Sequence, residues 1–216
     1  MITVVDVETT FVRDKTGKLD PSPFQKDNQL VSVGINDEYF CMFHKTYKDF
    51  HLAKNYKVIQ GILDKTKLLV GHNLKFDLAW LYECGFKYEG RVYDTMIAEY
   101  VLLRGLKKKL SLKEICKRRN ITQKSDIIDT YLKQDIGFET IPWNVVEKYG
   151  RQDVKATQAL IDDQLKDLKL PRNKNLIATI KMMNEFLLSL IEMERNGIYV
   201  DTNTLEEVEK EFIKEH

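Results

Sequence analysis

Val5-Asp6-Val7-Glu8-Thr9 places two carboxylates two residues apart inside an apolar run that begins at Ile2. In a β-strand, residues i and i+2 face the same way, so Asp6 and Glu8 stand side by side on the face that carries Ile2 and Val4. Burying two acids together is costly unless something positive sits between them. A divalent cation is the simplest such charge. The stretch therefore reads as a buried strand that seeds a metal site, and the rest of the chain as the supply of further ligands. D-x-E alone is a weak signal, because it also occurs by chance and on exposed strands.

Outward from that strand, residues 11–29 are polar, carry Gly17, Pro21 and Pro23, and read as a long loop. Leu30-Val31-Ser32-Val33-Gly34-Ile35 is a second strand, Asn36-Asp37-Glu38 a turn, and Tyr39 to Phe43 a third strand. An antiparallel meander is the economical arrangement. Leu52, Tyr56, Ile59, Ile62 and Leu63 recur at helical spacing within residues 52–66. Leu68-Leu69-Val70 is a short buried strand that ends at Gly71-His72-Asn73. A helix follows with Phe76, Ala79 and Trp80 turned inward, stopping near Gly85, and Arg91-Val92-Tyr93-Asp94 is a last short strand. Beyond Thr95 the pattern is helical. Ser111 with Glu114 matches a capping box. Asn144 with Glu147, just past Pro142, marks the start of a helix reaching about Leu168. Pro171-Arg172-Asn173 reads as a boundary. Ile177, Ile180, Met183, Leu187, Leu190 and Ile191 form an apolar stripe that stops at Asn196-Gly197, and a final helix runs from about Thr204. A strand meander followed by alternating helices and strands predicts an α/β fold, a mixed sheet flanked by helices. Two units are expected, residues 1–170 and a short helical segment at 171–216. The last helix reaches His216 without a cap, so the polypeptide is expected to continue.

With 216 residues and 43% apolar content, the chain can build a sizeable core. A net charge of +1 does not announce a nucleic-acid partner, so any basic surface must be local. Lys107, Lys108, Lys109, Lys113, Lys117, Arg118 and Arg119 form one such region, which could guide a strand or simply be a solvated face. Cys41, Cys84 and Cys116 are scattered and form no C-x-x-C pair. They argue against a disulfide framework and a zinc site, and fit a reducing compartment. No apolar stretch approaches transmembrane length. A cytoplasmic monomer with no membrane association is expected.

Two further pairs could meet Asp6 and Glu8. Asn73 and Asp77 lie one helical turn apart, with Asp77 beside Phe76 and Trp80. The plain alternative for Asp77 is an acid complementing the helix dipole. Tyr149 and Asp153 have the same spacing, on a stripe with Ala156 and Leu160. The plain alternative there is a Tyr–Asp hydrogen bond or a surface pair with Arg151. The combination carries the weight, because hard oxygen ligands from one strand and two helices suit Mg²⁺ or Mn²⁺. Two such ions, roughly 3.5–4 Å apart, can clamp the attacking and leaving oxygens of a phosphoryl displacement. Tyr149 would position water rather than ionise.

At these residues the sequence resembles the DnaQ-like 3′–5′ exonucleases, in the tyrosine-bearing branch of the DEDD class. The motifs are Val5-Asp6-Val7-Glu8-Thr9-Thr10, Gly71-His72-Asn73-Leu74-Lys75-Phe76-Asp77 and Tyr149-Gly150-Arg151-Gln152-Asp153. Tyr93-Asp94-Thr95-Met96 is similar to the family's strand-to-helix step before the third motif. Asn28 to Gly34 resembles the second strand of phage-type members. The resemblance implies a ribonuclease H-like fold, two divalent metal ions and release of 5′-mononucleotides from a single-stranded or frayed DNA 3′ end. It implies Asp6, Glu8, Asp77 and Asp153 as metal ligands and Tyr149 as the group orienting water. It also implies that Thr9 and Asn73 contact the terminal nucleotide. Phe11 and Phe76 are candidate stacking groups, and His72 reads as a hydrogen-bonded structural histidine. Leu190 to Asp201 is similar to the segment that opens the polymerase region of family A DNA polymerases. The chain thus resembles the proofreading domain of a phage-like member, expected to act in DNA replication with a polymerase domain in cis. The alternatives are a ribonuclease D-like RNA exonuclease, against which the tail after Pro171 argues, and a non-catalytic DNA-binding scaffold, against which the four acids argue.

Overall fold

A computed structural model describes residues 1–121 and 127–215. The opening apolar run forms strand β1 (Ile2–Thr9). Strands β2 (Val12–Arg13) and β3 (Leu19–Asp20) pair into a small antiparallel ribbon of their own. Strands β4 (Leu30–Ile35) and β5 (Glu38–Cys41) continue the main sheet, followed by β6 (Leu68–Gly71) and β7 (Arg91–Asp94). The five-stranded order is β5-β4-β1-β6-β7. β1 is central, antiparallel to β4 and parallel to β6. Its two faces enter two cores, as strand alternation requires. Val5 and Val7 face helices α1 (Leu52–Leu63) and α2 (Leu74–Glu83), against Ile59, Leu63, Leu74, Leu78 and Trp80. Val4 faces helices α3 (Thr95–Leu102) and α6 (Trp143–Leu168), against Ala98, Val101, Val154 and Ile161. This is the mixed sheet flanked by helices that the patterning predicts.

Between α3 and α6 lie two short helices, α4 (Leu112–Arg118) and α5 (Ile127–Leu132). A 3₁₀ turn at Pro171–Asn173 leads into α7 (Leu176–Asn196). α7 packs against α2, α3 and β7, with Ile180, Leu187 and Ile191 buried. It ends at Gly197, whose φ of 67° is one an L side chain rarely adopts. The last helix, α8 (Thr202–Glu215), keeps Leu205, Val208 and Ile213 exposed. No helix among the described residues is long and apolar enough to cross a membrane.

Several local expectations are corrected. Residues 11–29 are not a bare loop. They hold the β2–β3 ribbon, and Asp14 Oδ1 closes its turn by accepting from the N–H groups of Thr16 and Lys18 at 2.8 and 3.0 Å. The segment is tied down by Asn28, which donates to the Asp20 and Ser22 carbonyls, and by Trp80, whose indole donates to the Pro21 carbonyl at 3.0 Å. Ser111 does occupy the N-cap of α4, but its side chain makes no capping bond. Pro142, not Asn144, occupies the N-cap position of α6, and no side chain makes a capping bond there. Leu52, on the expected apolar stripe of α1, is 52% exposed.

Asp94 locks the layers together. Its buried carboxylate accepts from the N–H groups of Asn73 (3.1 Å) and Leu74 (2.9 Å), which open α2, and of Met96 (2.8 Å), which opens α3. Its own N–H donates to Asn184 Oδ1 of α7 at 2.8 Å. One side chain therefore satisfies the orphan donors of two helices.

Candidate active site

Three carboxylates converge at the C-terminal end of β1. Asp6, Glu8 and Asp153 each offer an oxygen, and these atoms lie within 4.8 Å of one another. Asp6 and Glu8 share the face toward α6 because they are two residues apart on one strand. Asp153 and Tyr149 reach them from one stripe of α6, and the Tyr149 phenol is hydrogen-bonded to Asp153. The bond named as the plain alternative for this pair therefore exists, inside the acidic cluster. The β1–β4 register shifts between Glu8 and Thr9, a break in the ladder where β1 leaves the site.

Asp77 comes from the opposite layer. It sits in the first turn of α2, and its Oδ1 accepts from the Val7 N–H at 2.9 Å. Burial, and then the charge on Asp6, push its carboxyl well above the ordinary range. Burial also raises the Tyr149 phenol, with Glu8, Asp153 and Asp6 adding to the effect, so Tyr149 is neutral at working pH. The donor set is oxygen only, carries several negative charges and is largely buried. That chemistry fits a hard divalent cation, and the structure gives such a cation Asp6, Glu8 and Asp153 as neighbours.

The other candidates lie where their spacing puts them. Thr9 is buried directly after Glu8. Asn73 is exposed at the mouth of α2, with a left-handed φ of 61° held by the bond from its N–H to Asp94. His72 is structural, as read: its Nε2 donates to the Leu110 carbonyl at 2.9 Å and its Nδ1 pairs with Thr95 Oγ1 at 2.9 Å. Phe76 packs on the core beneath α2, and Phe11 is half-buried. The basic region divides. Arg118 and Arg119 are taken up by Glu99, and Arg119 also by Asp163 and Asp167. Lys113 pairs with Asp129 at 3.6 Å. Lys107, Lys108 and Lys109 stay exposed on a loop that His72 pins through Leu110 to the start of α2.

Sequence reasoning missed Tyr39. Its hydroxyl lies 2.7 Å from Ser32 Oγ, and burial, then the charge of Glu8, push its phenol well up. Asp6 and Asp153 act on it as well, so a second neutral phenol borders the acids. No pattern in the sequence marks it, because its place follows from the strand register, which sets Tyr39 opposite Gly34 and Gly34 opposite Asp6.

The profile of a 3′–5′ exonuclease family matches residues 22–169, a span that holds Asp77, Tyr149 and Asp153 but not Asp6 and Glu8. A DNA polymerase I of Borreliella burgdorferi is 30% identical over 226 residues, covering 97% of this chain and 23% of that protein. A DNA polymerase of Bacillus phage SP01 is 24% identical, covering 98% of this chain and 25% of that protein. The chain thus spans about a quarter of the length of these relatives. Among solved structures, Brucella melitensis NrnC with bound Mg²⁺ superposes with a TM-score of 0.64 at 20% identity, over 91% of this chain and 86% of that one. The catalytic core of RRP6 from Trypanosoma brucei superposes with a TM-score of 0.57 at 16% identity, over 86% of this chain and 45% of that one. The structural likenesses establish the ribonuclease H-like fold.

Proposed function

The chain belongs to the 3′–5′ exonuclease family, in the branch carried by DNA polymerases of family A, and from that premise we propose that it trims single-stranded or frayed DNA from the 3′ end, releasing 5′-mononucleotides. The family is a metal-dependent hydrolase family. The observation that carries the assignment to this chain is the convergence of Asp6, Glu8 and Asp153 within 4.8 Å, with Asp77 bound to the same strand.

Asp6, Glu8, Asp77 and Asp153 would hold two divalent cations, Mg²⁺ or Mn²⁺. When bound, these supply positive charge that offsets the phosphodiester and the departing 3′ oxygen and acidifies the attacking water. The chain's own groups do the positioning. Tyr149 remains a phenol and keeps its bond to Asp153, so it can orient water without giving up its proton. Asn73 and Thr9 would hold the terminal nucleotide. Lys107, Lys108 and Lys109 would attract the incoming phosphates, a contribution that weakens with salt. Residues 1–170 would form the exonuclease unit and residues 171–216 the first helices of a polymerase region in cis, in a protein that proofreads during DNA replication inside the cell. We expect the isolated chain to be a monomer.

The test incubates 3′-extended DNA and matched RNA with the chain and Mg²⁺ or Mn²⁺, beside Asp6→Ala and Asp77→Ala. Stepwise loss of 3′ nucleotides, faster on DNA and absent in both variants, is expected. Equal activity in the variants would expose a contaminant, and faster trimming of RNA would reverse the substrate assignment.

A further inference from the structure

We propose that Tyr39 is a positioning residue, a bracket that sets how closely α6 brings Tyr149 and Asp153 to Asp6 and Glu8. This rests on the exonuclease reading of the site. Tyr39 pairs with Gly34, and Gly34 pairs with Asp6, so the three lie in one row across β5, β4 and β1. Opposed residues share a face of the sheet. That face looks toward α6, since Val4, two residues before Asp6, packs with Val154 and Ile161. With no side chain on Gly34, the Tyr39 ring can lie across β4 toward the acids. A Cβ at Gly34 would stand 3.1 Å from two ring carbons of Tyr39 and 2.8 Å from Val154 Cγ2. The Tyr39 hydroxyl is anchored 2.7 Å from Ser32 Oγ, and Ser32 is the residue opposite Glu8.

The other side of the ring carries α6. A Cβ at Gly150 would collide with the Tyr39 hydroxyl and ring. Gly150 lies directly between Tyr149 and the rest of the turn that delivers Asp153, so this helix turn rests on the phenol. Trp143, with its ring centroid 5.7 Å away, and the Arg151 guanidinium, 5.8 Å from the ring centre, flank Tyr39. Arg151 also donates to the Asp37 carbonyl in the β4–β5 turn and pairs with Glu147 at 2.8 Å. The spacing between strand-borne and helix-borne acids is thus set by one aromatic ring between two glycines. Tyr39 need not touch DNA or change charge to do this. Groups that hold metal ligands in place typically change metal affinity or activity by about 10–100-fold when removed.

The full chain is tested as Gly150→Ala, Tyr39→Ala, the double variant Gly150→Ala/Tyr39→Ala, Tyr39→Phe and Ser32→Ala. Mn²⁺ affinity is read by calorimetry, single-turnover cleavage of 3′-extended DNA gives the rate, and urea unfolding gives stability. Gly150→Ala is expected to weaken Mn²⁺ binding and slow cleavage by about 10–100-fold with little change in KM. Adding Tyr39→Ala is expected to return part of that loss, because the colliding ring is gone. Wild-type Mn²⁺ affinity and rate in Gly150→Ala, or a loss that Tyr39→Ala does not relieve, would overturn the bracket. Should Gly150→Ala not fold, Tyr39→Phe and Ser32→Ala decide: their losses should not add, and additive losses would overturn it. A wild-type chain that neither binds Mn²⁺ nor cuts DNA sinks the exonuclease reading instead. The bracket is then judged by urea unfolding, where Tyr39→Ala and Gly150→Ala must be non-additive.

Discussion

Asp77 sits where a carboxylate is least welcome, buried and facing the charge on Asp6, with the Val7 N–H as compensation. Its folded-state pKa lies above the unfolded one of about 4. Its contribution to stability is therefore complete below that unfolded value and is lost as the pH rises through the folded value. In EDTA at pH 8 we expect Asp77→Asn to melt at a higher temperature than the wild type, with the gap narrowing toward pH 5. A lower melting temperature at pH 8, followed by thermal unfolding in both buffers, would contradict this. Tyr149→Phe removes the hydroxyl bonded to Asp153. By analogy with other single positioned donors, kcat should fall about 10²-fold with KM unchanged, which steady-state kinetics on 3′-extended DNA would show. The acids were legible one by one because i, i+2 spacing on a strand and i, i+4 spacing on a helix each fix a face. Tyr39 was not, because its place depends on which residue lies opposite it two strands away.

The elements hang on a few polar junctions, of which Asp94 carries most. Asp94→Ala strands the N–H groups of Asn73, Leu74 and Met96 at the entrances of α2 and α3. With a cap worth about 1 kcal/mol and an unpaired buried donor costing more, the expected destabilisation is about 2–4 kcal/mol in urea unfolding. A change within about 0.5 kcal/mol, the range of ordinary surface substitutions, would show that the junction is redundant. Asp94 was visible in the sequence only as part of a familiar strand-to-helix step, not as a double cap. That second role needs α2 to start beside β7, a tertiary fact. α7 was readable from its apolar spacing, β4 from its continuous apolar run, and α6 from the start signals just past Pro142. The β2–β3 ribbon was not, because its strands are two residues long and its order comes from Asn28 and Trp80. The Ser111 capping box failed for the converse reason: a local pattern is permissive, and the hydroxyl does not make the bond.

At the scale of the molecule, the sheet's strand order brings together what the sequence separates. β1 lies between β4 and β6, so α2 reaches its end from one layer and α6 from the other. The meander and the α/β alternation were readable in advance, but the central place of β1 follows from pairing across 60 or more residues, such as Ile2 with Leu68. Since the cluster is assembled only by the folded chain, a cation bound there should stabilise the whole fold. At a concentration of one hundred times Kd the gain is about 2.7 kcal/mol. Melting curves in Mg²⁺ and in EDTA should therefore separate for the wild type and coincide for Asp6→Ala.

The most direct measurement is a calorimetric titration of Mn²⁺ into the wild-type chain, Asp6→Ala and Asp153→Ala, each first checked for an intact fold by circular dichroism. The account predicts binding to the wild type and its loss or marked weakening in both variants, since each removes one of the three carboxylates that lie within 4.8 Å. Undiminished binding in the folded variants, or none in the wild type, would contradict it.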